Sequence, residues 1–265
     1  MGPVVWAWAW RFDVSAVLLA AGVVYAAGWV RLRTWGRRRL AKGRYLLLYL
    51  SGLVVIAVAL MSPVDTLQNL LFSMHMLQHE LLIYLGPPLL LLARPLPFSL
   101  WGLPPRIRHR LGLLFLRKTL LRRGLTVLTR PLVALGISTA VMWFWHIPTL
   151  YDLALENHIV HDLEHLSFFG AFLLYWWPLI GTAPQPAQLS TNGARALYLL
   201  AGATQAALLG GLITFADRVV YTHYLTLPRL GGVSALADQQ LGGAIMWLPG
   251  PIFYGVMAVL TMKDE

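Results

Sequence analysis

The 265-residue chain contains no cysteine, which excludes disulfides, thiolate metal ligands and c-type haem attachment. Any metal would have to be held by histidine, methionine or carboxylate side chains. Charged residues are also scarce, at 12% of the chain, whereas they make up about a quarter of a soluble domain. Together with a hydrophobic share of 58%, this scarcity predicts an integral membrane protein.

Long apolar runs predict an all-α, polytopic membrane helix bundle that forms one domain over residues 1–265. About 20 mainly apolar residues are enough to cross a bilayer as a helix. Seven such windows are present, at residues 13–30, 45–61, 70–93, 131–146, 163–181, 196–216 and 239–262. Prolines predict a kink near residues 83–86, before Pro87 and Pro88, and a break in the last window at Pro249-Gly250-Pro251.

The net charge of +10 is confined mainly to two predicted loops. Residues 31–44 carry seven Lys and Arg, and residues 94–130 carry nine. By the positive-inside rule both loops are cytoplasmic, which predicts an outside N-terminus and a cytoplasmic C-terminus. Topology and contact with anionic lipid in the bilayer account for the charge, so no nucleic-acid partner is expected.

Two pairs of histidines at helical spacing lie in the third and fifth windows. Residues four apart share one helix face, and ionisable groups at membrane depth indicate a site more often than a structural network. Another histidine ends the fourth window, whereas His158 and His223 are expected to be solvated loop residues. The candidate metal ligands are His75, His79, His146, His161 and His165.

Other polar residues and one methionine are expected to support these histidines. Seven of the eight histidines and nine of the eleven acidic residues map to the same, outer side of the predicted topology. Carboxylates commonly orient metal-binding imidazoles, and imidazole suits copper, zinc, iron and nickel. Histidine with methionine would suit Cu(I), and histidine alone Cu(II) or zinc. The candidate second-shell or gating residues are Glu80, Glu164, Asp238, Gln239 and Met246.

Four ordered motifs carry a resemblance to a known family. They are His75-Met-Leu-Gln-His79 followed by Pro87-Pro88, Trp145-His-Ile-Pro-Thr-Leu-Tyr-Asp152, His161-Asp-Leu-Glu-His165-Leu-Ser-Phe, and Asp238-Gln-Gln with Trp247-Leu-Pro-Gly250. With these motifs, residues 45–260 resemble the CtaG-type cytochrome c oxidase assembly proteins of bacteria.

The resemblance implies a multi-pass, non-enzymatic assembly factor of the bacterial inner (plasma) membrane. Such a factor would help to supply copper to the copper B centre of a haem-copper oxidase. Its expected partners are oxidase subunit I or other assembly factors. The family's recurring histidines fall on the five candidate ligands, and its last motif adds Asp238 and Gln239.

Other classes of protein remain open at this stage. A membrane b-type cytochrome would hold haem, the less favoured cofactor, between two histidines on facing helices. A copper transporter would need polar groups through the whole membrane, and the inner halves of the predicted spans offer almost none. A zinc hydrolase would need a motif such as His-Glu-x-x-His, but His79-Glu80 is followed by Leu81-Leu82-Ile83, with no second histidine.

Overall fold

The computed structural model describes residues 8–116, 118–184, 189–228 and 230–261. Within these ranges the chain is all-helical and contains no strand, which confirms the predicted all-α class. The end of the last predicted window, Met262, lies outside the described residues.

Fourteen α-helices are present in the described residues. The first eight are α1 (Phe12–Thr34), α2 (Gly43–Met61), α3 (Pro63–Leu67), α4 (Phe72–Glu80), α5 (Gly86–Leu92), α6 (Pro95–Gly102), α7 (Pro105–Leu114) and α8 (Leu120–Leu128). The other six are α9 (Pro131–Trp145), α10 (Pro148–Glu156), α11 (His158–Ile180), α12 (Asn192–Thr214), α13 (Ala235–Trp247) and α14 (Pro249–Thr261). A π-helical turn, Leu81–Leu85, joins α4 to α5, and a 3₁₀ turn, Thr222–Leu225, lies between α12 and α13.

Between four and six parts of the described chain could cross a membrane by length and composition. Four are Phe12–Thr34, Gly43–Leu67, Asn192–Thr214 and Ala235–Thr261. Two more are bent pairs: Phe72–Leu92 with Pro95–Gly102 at 66°, and Leu120–Leu128 with Pro131–Trp145 at 73°. Helix α11 is not among them. The count of seven spans and the orientation of the termini stay predictions.

The third predicted span is interrupted at two places. Gly86 N–H donates to the carbonyl of Leu81, five residues back, and this π-helical turn precedes Pro87 and Pro88, which have no N–H. The larger bend, 66°, comes at Arg94, whose backbone is left-handed (φ 54°, ψ 61°). The sequence located the interruption before the prolines but missed the bend at Arg94.

Two features hold α4 against α13. A Cβ at Gly242 would lie 2.3 Å from Cδ1 of Phe72, so only glycine permits this approach. The Asp238 carboxylate accepts hydrogen bonds from the backbone N–H of Phe72 (2.7 Å) and Ser73 (3.3 Å), and so caps the N-terminus of α4. The cap therefore fixes the first turn of α4, which contains His75.

Candidate metal centre

The two predicted histidine ladders face each other. The ring centroids of His75 and His161 are 5.1 Å apart, and those of His79 and His165 are 5.4 Å apart. Within each helix the rings are separated by 4.3 Å on α4 and 4.1 Å on α11. Three of these rings are buried and His161 is partly buried, so two helices build one enclosed cluster.

The start of α11 puts its histidines in register with those of α4. The Asn157 side chain accepts hydrogen bonds from the N–H groups of Ile159 (2.9 Å) and Val160 (3.3 Å), and so caps the helix. His161 and His165 therefore lie one turn apart inside a regular helix, as their spacing predicted.

Glu164 projects from α11 toward the histidine ladder on α4. Its Oε2 is 3.7 Å from Nε2 of His75, and its Oε1 is 3.6 Å from Nε2 of His79. This carboxylate, expected to act behind the ligands, is level with the imidazole nitrogens. We call His75, His79, His161, His165 and Glu164 the histidine–carboxylate cluster.

Two groups of three potential ligands can be drawn within this cluster. One donor atom from each of His75, His79 and Glu164 lies within 4.8 Å of the others. The same holds for His75, His161 and His165. His75 belongs to both groups, which makes it the central potential ligand.

Many polar atoms of the cluster are buried and have no hydrogen-bond partner among the described residues. They are both ring nitrogens of His79, both carboxylate oxygens of Glu164, and Nε2 of His75, His161 and His165. Buried polar atoms normally have partners, because an unpaired one loses its hydration without compensation. A bound cation would satisfy these atoms, and imidazole with carboxylate suits Cu(II) or Zn.

A chain of hydroxyl groups determines which nitrogen of His75 is free. Tyr224 O–H donates to the carbonyl of Gln68 (3.1 Å), and the hydroxyl oxygens of Tyr224 and Tyr151 are 3.1 Å apart. The Tyr151 oxygen is 2.7 Å from Nδ1 of His75. Burial raises the pKa of both tyrosines, so each keeps one proton.

The Gln68 carbonyl at the end of this row of hydroxyl groups fixes the direction of each hydrogen bond, because a carbonyl can only accept. The Tyr224 hydroxyl donates its hydrogen bond to the Gln68 carbonyl, and the Tyr151 hydroxyl therefore donates to the Tyr224 oxygen. Nδ1 of His75 must then donate to Tyr151. Nε2 of His75 is left with a lone pair that faces the Glu164 carboxylate, an arrangement that a cation between them would stabilise.

His146 lies at the edge of the cluster. Its Nδ1 donates to the carbonyl of Met142 (2.7 Å), so its buried Nε2 also carries a lone pair. Its ring centroid is 6.4 Å from that of His79. His146, also a predicted ligand, belongs to neither group of three.

Glu80 lies apart from the imidazole nitrogens. It ends α4, is half-buried, and has neither a hydrogen bond nor an ion pair within the described part of the chain. A position next to His79 in the sequence therefore does not bring Glu80 into either group of three.

Gln239 and Met246 hold neighbouring structure. Oε1 of Gln239 accepts from Val220 N–H (2.7 Å), and its Nε2 donates to the Arg218 carbonyl (3.2 Å), which fixes the loop before the 3₁₀ turn. Met246 is buried where α13 crosses α12 at Gly210. Of the last predicted motif, Asp238 and Gln239 thus position elements that contact the cluster.

Polar contacts that no sequence pattern indicates surround the cluster. Tyr151 lies inside a quoted motif, but Tyr224 follows no pattern that predicts its contact with Tyr151. Both terminal nitrogens of Arg11 donate to the Asp162 carboxylate, at 2.5 and 3.0 Å, and tie the start of α1 to α11 beside His161. His158, by contrast, is exposed as expected.

The fold and the site define a class: a helical bundle with several candidate membrane spans, built around a buried histidine–carboxylate cluster. The family model described as cytochrome c oxidase caa3 assembly factor (Caa3_CtaG) matches residues 23–264. The chain belongs to this family of assembly factors, which confirms the resemblance seen in the motifs.

Curated relatives come from mycobacteria. The chain is 31% identical over 267 residues to Uncharacterized protein Mb0105 of Mycobacterium bovis and to Uncharacterized protein MT0111 of Mycobacterium tuberculosis, covering 95% of this chain and 39% of each relative. Uncharacterized protein ML1998 of Mycobacterium leprae is 29% identical over 255 residues, 90% of this chain and 36% of that protein. The chain thus spans less than two fifths of the curated relatives it matches. No solved structure shows a significant match.

Proposed function

We propose that the chain is a multi-pass protein of the bacterial plasma membrane that binds copper in the histidine–carboxylate cluster and delivers it to the copper B centre of cytochrome c oxidase subunit I. Family membership supports the assembly role, and the apolar helices support the location. The set of buried cluster atoms without partners is the observation that carries the copper proposal. The role is non-catalytic, because an ion is bound and released without a change in covalent bonds.

The donor set favours Cu(II) over Cu(I) as the form that the cluster holds. Imidazole nitrogen with carboxylate oxygen suits Cu(II), whereas Cu(I) prefers sulfur ligands. Met76, one turn from His79 on the same helix, packs instead beside Gly242 of α13, where its Cγ would be 3.2 Å from an added Cβ. In this proposal His75, His79 and Glu164 form a fully buried ligand group. His75 also forms a second ligand group with His161 and His165.

One ion per chain follows from the role of His75 in both groups. Its Nδ1 is used by Tyr151, so only Nε2 can bind a cation, and one lone pair serves one ion at a time. An ion would move between the partly exposed His161 and the buried Glu164 while His75 stays bound. This ligand exchange meets the requirement that cargo be released.

The test of this role uses cells whose haem-copper oxidase depends on the protein. The His75→Ala/His79→Ala double variant should insert in the membrane, but the oxidase made in its presence should lack copper in the copper B centre and should be inactive. His158→Ala, which removes an exposed histidine from the same region, is the matched control and should support normal oxidase. Full oxidase activity with the double variant at normal protein level would refute delivery through this cluster.

A further inference from the structure

A second candidate site lies at the other end of the bundle from the histidines. A cavity of about 580 Å³ opens where α2 begins, between α5, the start of α6 and the end of α14. Helix α4, which carries His75 and His79, contacts the opposite end of α2, where the Gln78 side chain donates to the carbonyl of Ala59. Since α2 has 19 residues, its two ends are roughly 28 Å apart, and the two sites are separate.

Two arginines stand at this cavity without a carboxylate partner among the described residues. The guanidinium carbons of Arg44 and Arg94 lie 5.1 and 5.2 Å from the ring centroid of the buried Tyr45. Arg44 also donates to the Tyr45 hydroxyl at 3.2 Å. Two positive charges held by one ring repel each other, so an anion between them would be favourable. We call this cavity the arginine pocket.

The wall of the arginine pocket offers a further polar atom and an apolar surface. Oγ1 of Thr182 is buried and has no hydrogen-bond partner in the described ranges, and Thr182 itself is only 5% exposed. The remaining lining is apolar, and half of it is leucine, namely Leu48, Leu91, Leu92 and Leu260. A small inorganic anion would leave the leucine wall uncovered, whereas an acyl chain would cover it.

The backbone at Arg94 supports a role for its side chain. Arg94 is the one non-glycine residue with a positive φ among those the structure describes, and glycine would adopt this conformation without steric cost. The buried Tyr25 hydroxyl holds the preceding residue by a 2.7 Å hydrogen bond to the carbonyl of Ala93. This strained turn directs the guanidinium to Tyr45, and strain of this kind is often retained at binding sites.

We propose that the arginine pocket binds one anionic phospholipid, with its phosphate between Arg44 and Arg94 and an acyl chain on the leucine wall. The charge complements an anionic headgroup, and the apolar wall selects a lipid over free phosphate. The site lies on the basic side of the bundle and is independent of copper binding.

Native mass spectrometry of the full chain in detergent tests this site. Phosphatidylglycerol should bind at about one molecule per chain, and phosphatidylcholine with the same acyl chains at least about tenfold more weakly. The Arg44→Gln/Arg94→Gln variant should lose this preference. Arg106→Gln/Arg108→Gln removes two charges from the same side outside the pocket lining and should keep it. Equal losses in both double variants, or equal binding of both lipids, would overturn the proposal.

Two further experiments distinguish lipid binding from a loss of folding and from the binding of a small anion. Arg94→Gly keeps the left-handed turn and removes one guanidinium, so it should weaken phosphatidylglycerol binding without lowering the thermal unfolding midpoint. Inorganic phosphate at millimolar concentration should leave the bound lipid in place. Complete displacement by phosphate, or unchanged lipid binding in Arg94→Gly, would contradict the assignment.

Discussion

At the scale of single residues, the tyrosine hydroxyl groups next to His75 determine which of its ring nitrogens can bind a metal ion. Tyr151 accepts from Nδ1 of His75, so the free lone pair is on Nε2 and points at Glu164. An imidazole whose second nitrogen has a fixed partner is held in one tautomer and orientation, as in many metal sites. The tyrosine is therefore a positioning residue for the proposed copper ligand.

Replacing this tyrosine should weaken copper binding without removing a ligand. In Tyr151→Phe, His75 loses the acceptor for Nδ1–H and can take either tautomer, so we expect copper affinity to fall about 10- to 100-fold. Competition with a chromophoric chelator measures the change. Tyr198→Phe is the control, because it deletes another buried tyrosine hydroxyl bond, 2.9 Å to the Tyr175 carbonyl, away from the cluster. Equal affinity in Tyr151→Phe and the native chain would argue against a fixed tautomer.

The carboxylate of Glu164 offers a second residue-scale test. Glu164→Gln keeps the shape but removes the negative charge that faces His75 and His79. We expect copper to raise the thermal unfolding midpoint of the native chain but much less that of this variant, since stabilisation follows affinity. The midpoint without copper should stay about the same, because the amide has the same shape as the carboxyl group that it replaces.

Glu156→Gln provides the comparison for the Glu164 variant, since Glu156 is exposed at the end of α10. Copper should stabilise this control as it does the native chain. An unchanged copper response in Glu164→Gln would remove the carboxylate from the ligand set and leave a site built from histidines alone.

At the scale of elements, the position of α4 depends on a carboxylate from α13. Asp238 caps α4 through the N–H groups of Phe72 and Ser73 and also accepts from the Ser73 hydroxyl at 2.5 Å. Loss of an N-cap allows the first turn of a helix to fray, and His75 lies in that turn. The last motif of the sequence thus acts on the cluster through helix geometry.

Asp238→Ala should destabilise the protein and weaken copper binding together. We expect a loss of about 1 to 2 kcal/mol in the free energy of unfolding, the usual value of an N-cap. Denaturant unfolding in mild detergent measures this loss, and hydrogen exchange should show faster exchange in residues 72–75. Asp217→Ala, at an exposed position after α12, should change neither quantity. Normal protection of residues 72–75 in Asp238→Ala would show that the cap is dispensable.

At the scale of the whole molecule, the two ends of the bundle carry different chemistry. One end holds the histidine–carboxylate cluster and the other the arginine pocket, with mainly apolar helices between them. The chain belongs to a family described as cytochrome c oxidase assembly factors, which supports the proposed assembly role. The proposed copper path therefore lies at one end, and the proposed lipid contact at the other would anchor the bundle in the bilayer.

Much of this arrangement could be predicted from the sequence because it depends on local spacing. Residues four apart share a helix face, which predicted the pairs His75/His79 and His161/His165 before any helix had been placed. Local spacing does not define how a helix is rotated against its neighbour. It therefore left open whether the ladders meet, and it placed Glu164 behind the ligands although its carboxylate lies beside the Nε2 atoms of His75 and His79.

Contacts between distant parts of the chain could not be predicted from the sequence. Asp238 caps a helix 166 residues earlier, and no periodicity connects the two segments. The bend at Arg94 depends on a left-handed residue, a conformation that side-chain pattern predicts for glycine and not for arginine. The prolines did mark the π-helical turn at Leu81–Leu85 and the break between α13 and α14.

The copper content of the purified full chain, measured by elemental analysis beside its optical spectrum, tests the central claim most directly. The account predicts one copper ion per chain, a loss of that ion in His75→Ala/His79→Ala, retention in His158→Ala, and no Soret band. Two ions per chain would contradict the shared role of His75. A Soret band would indicate a b-type haem protein, and a copper-free chain after copper loading would reduce the histidines to a structural network.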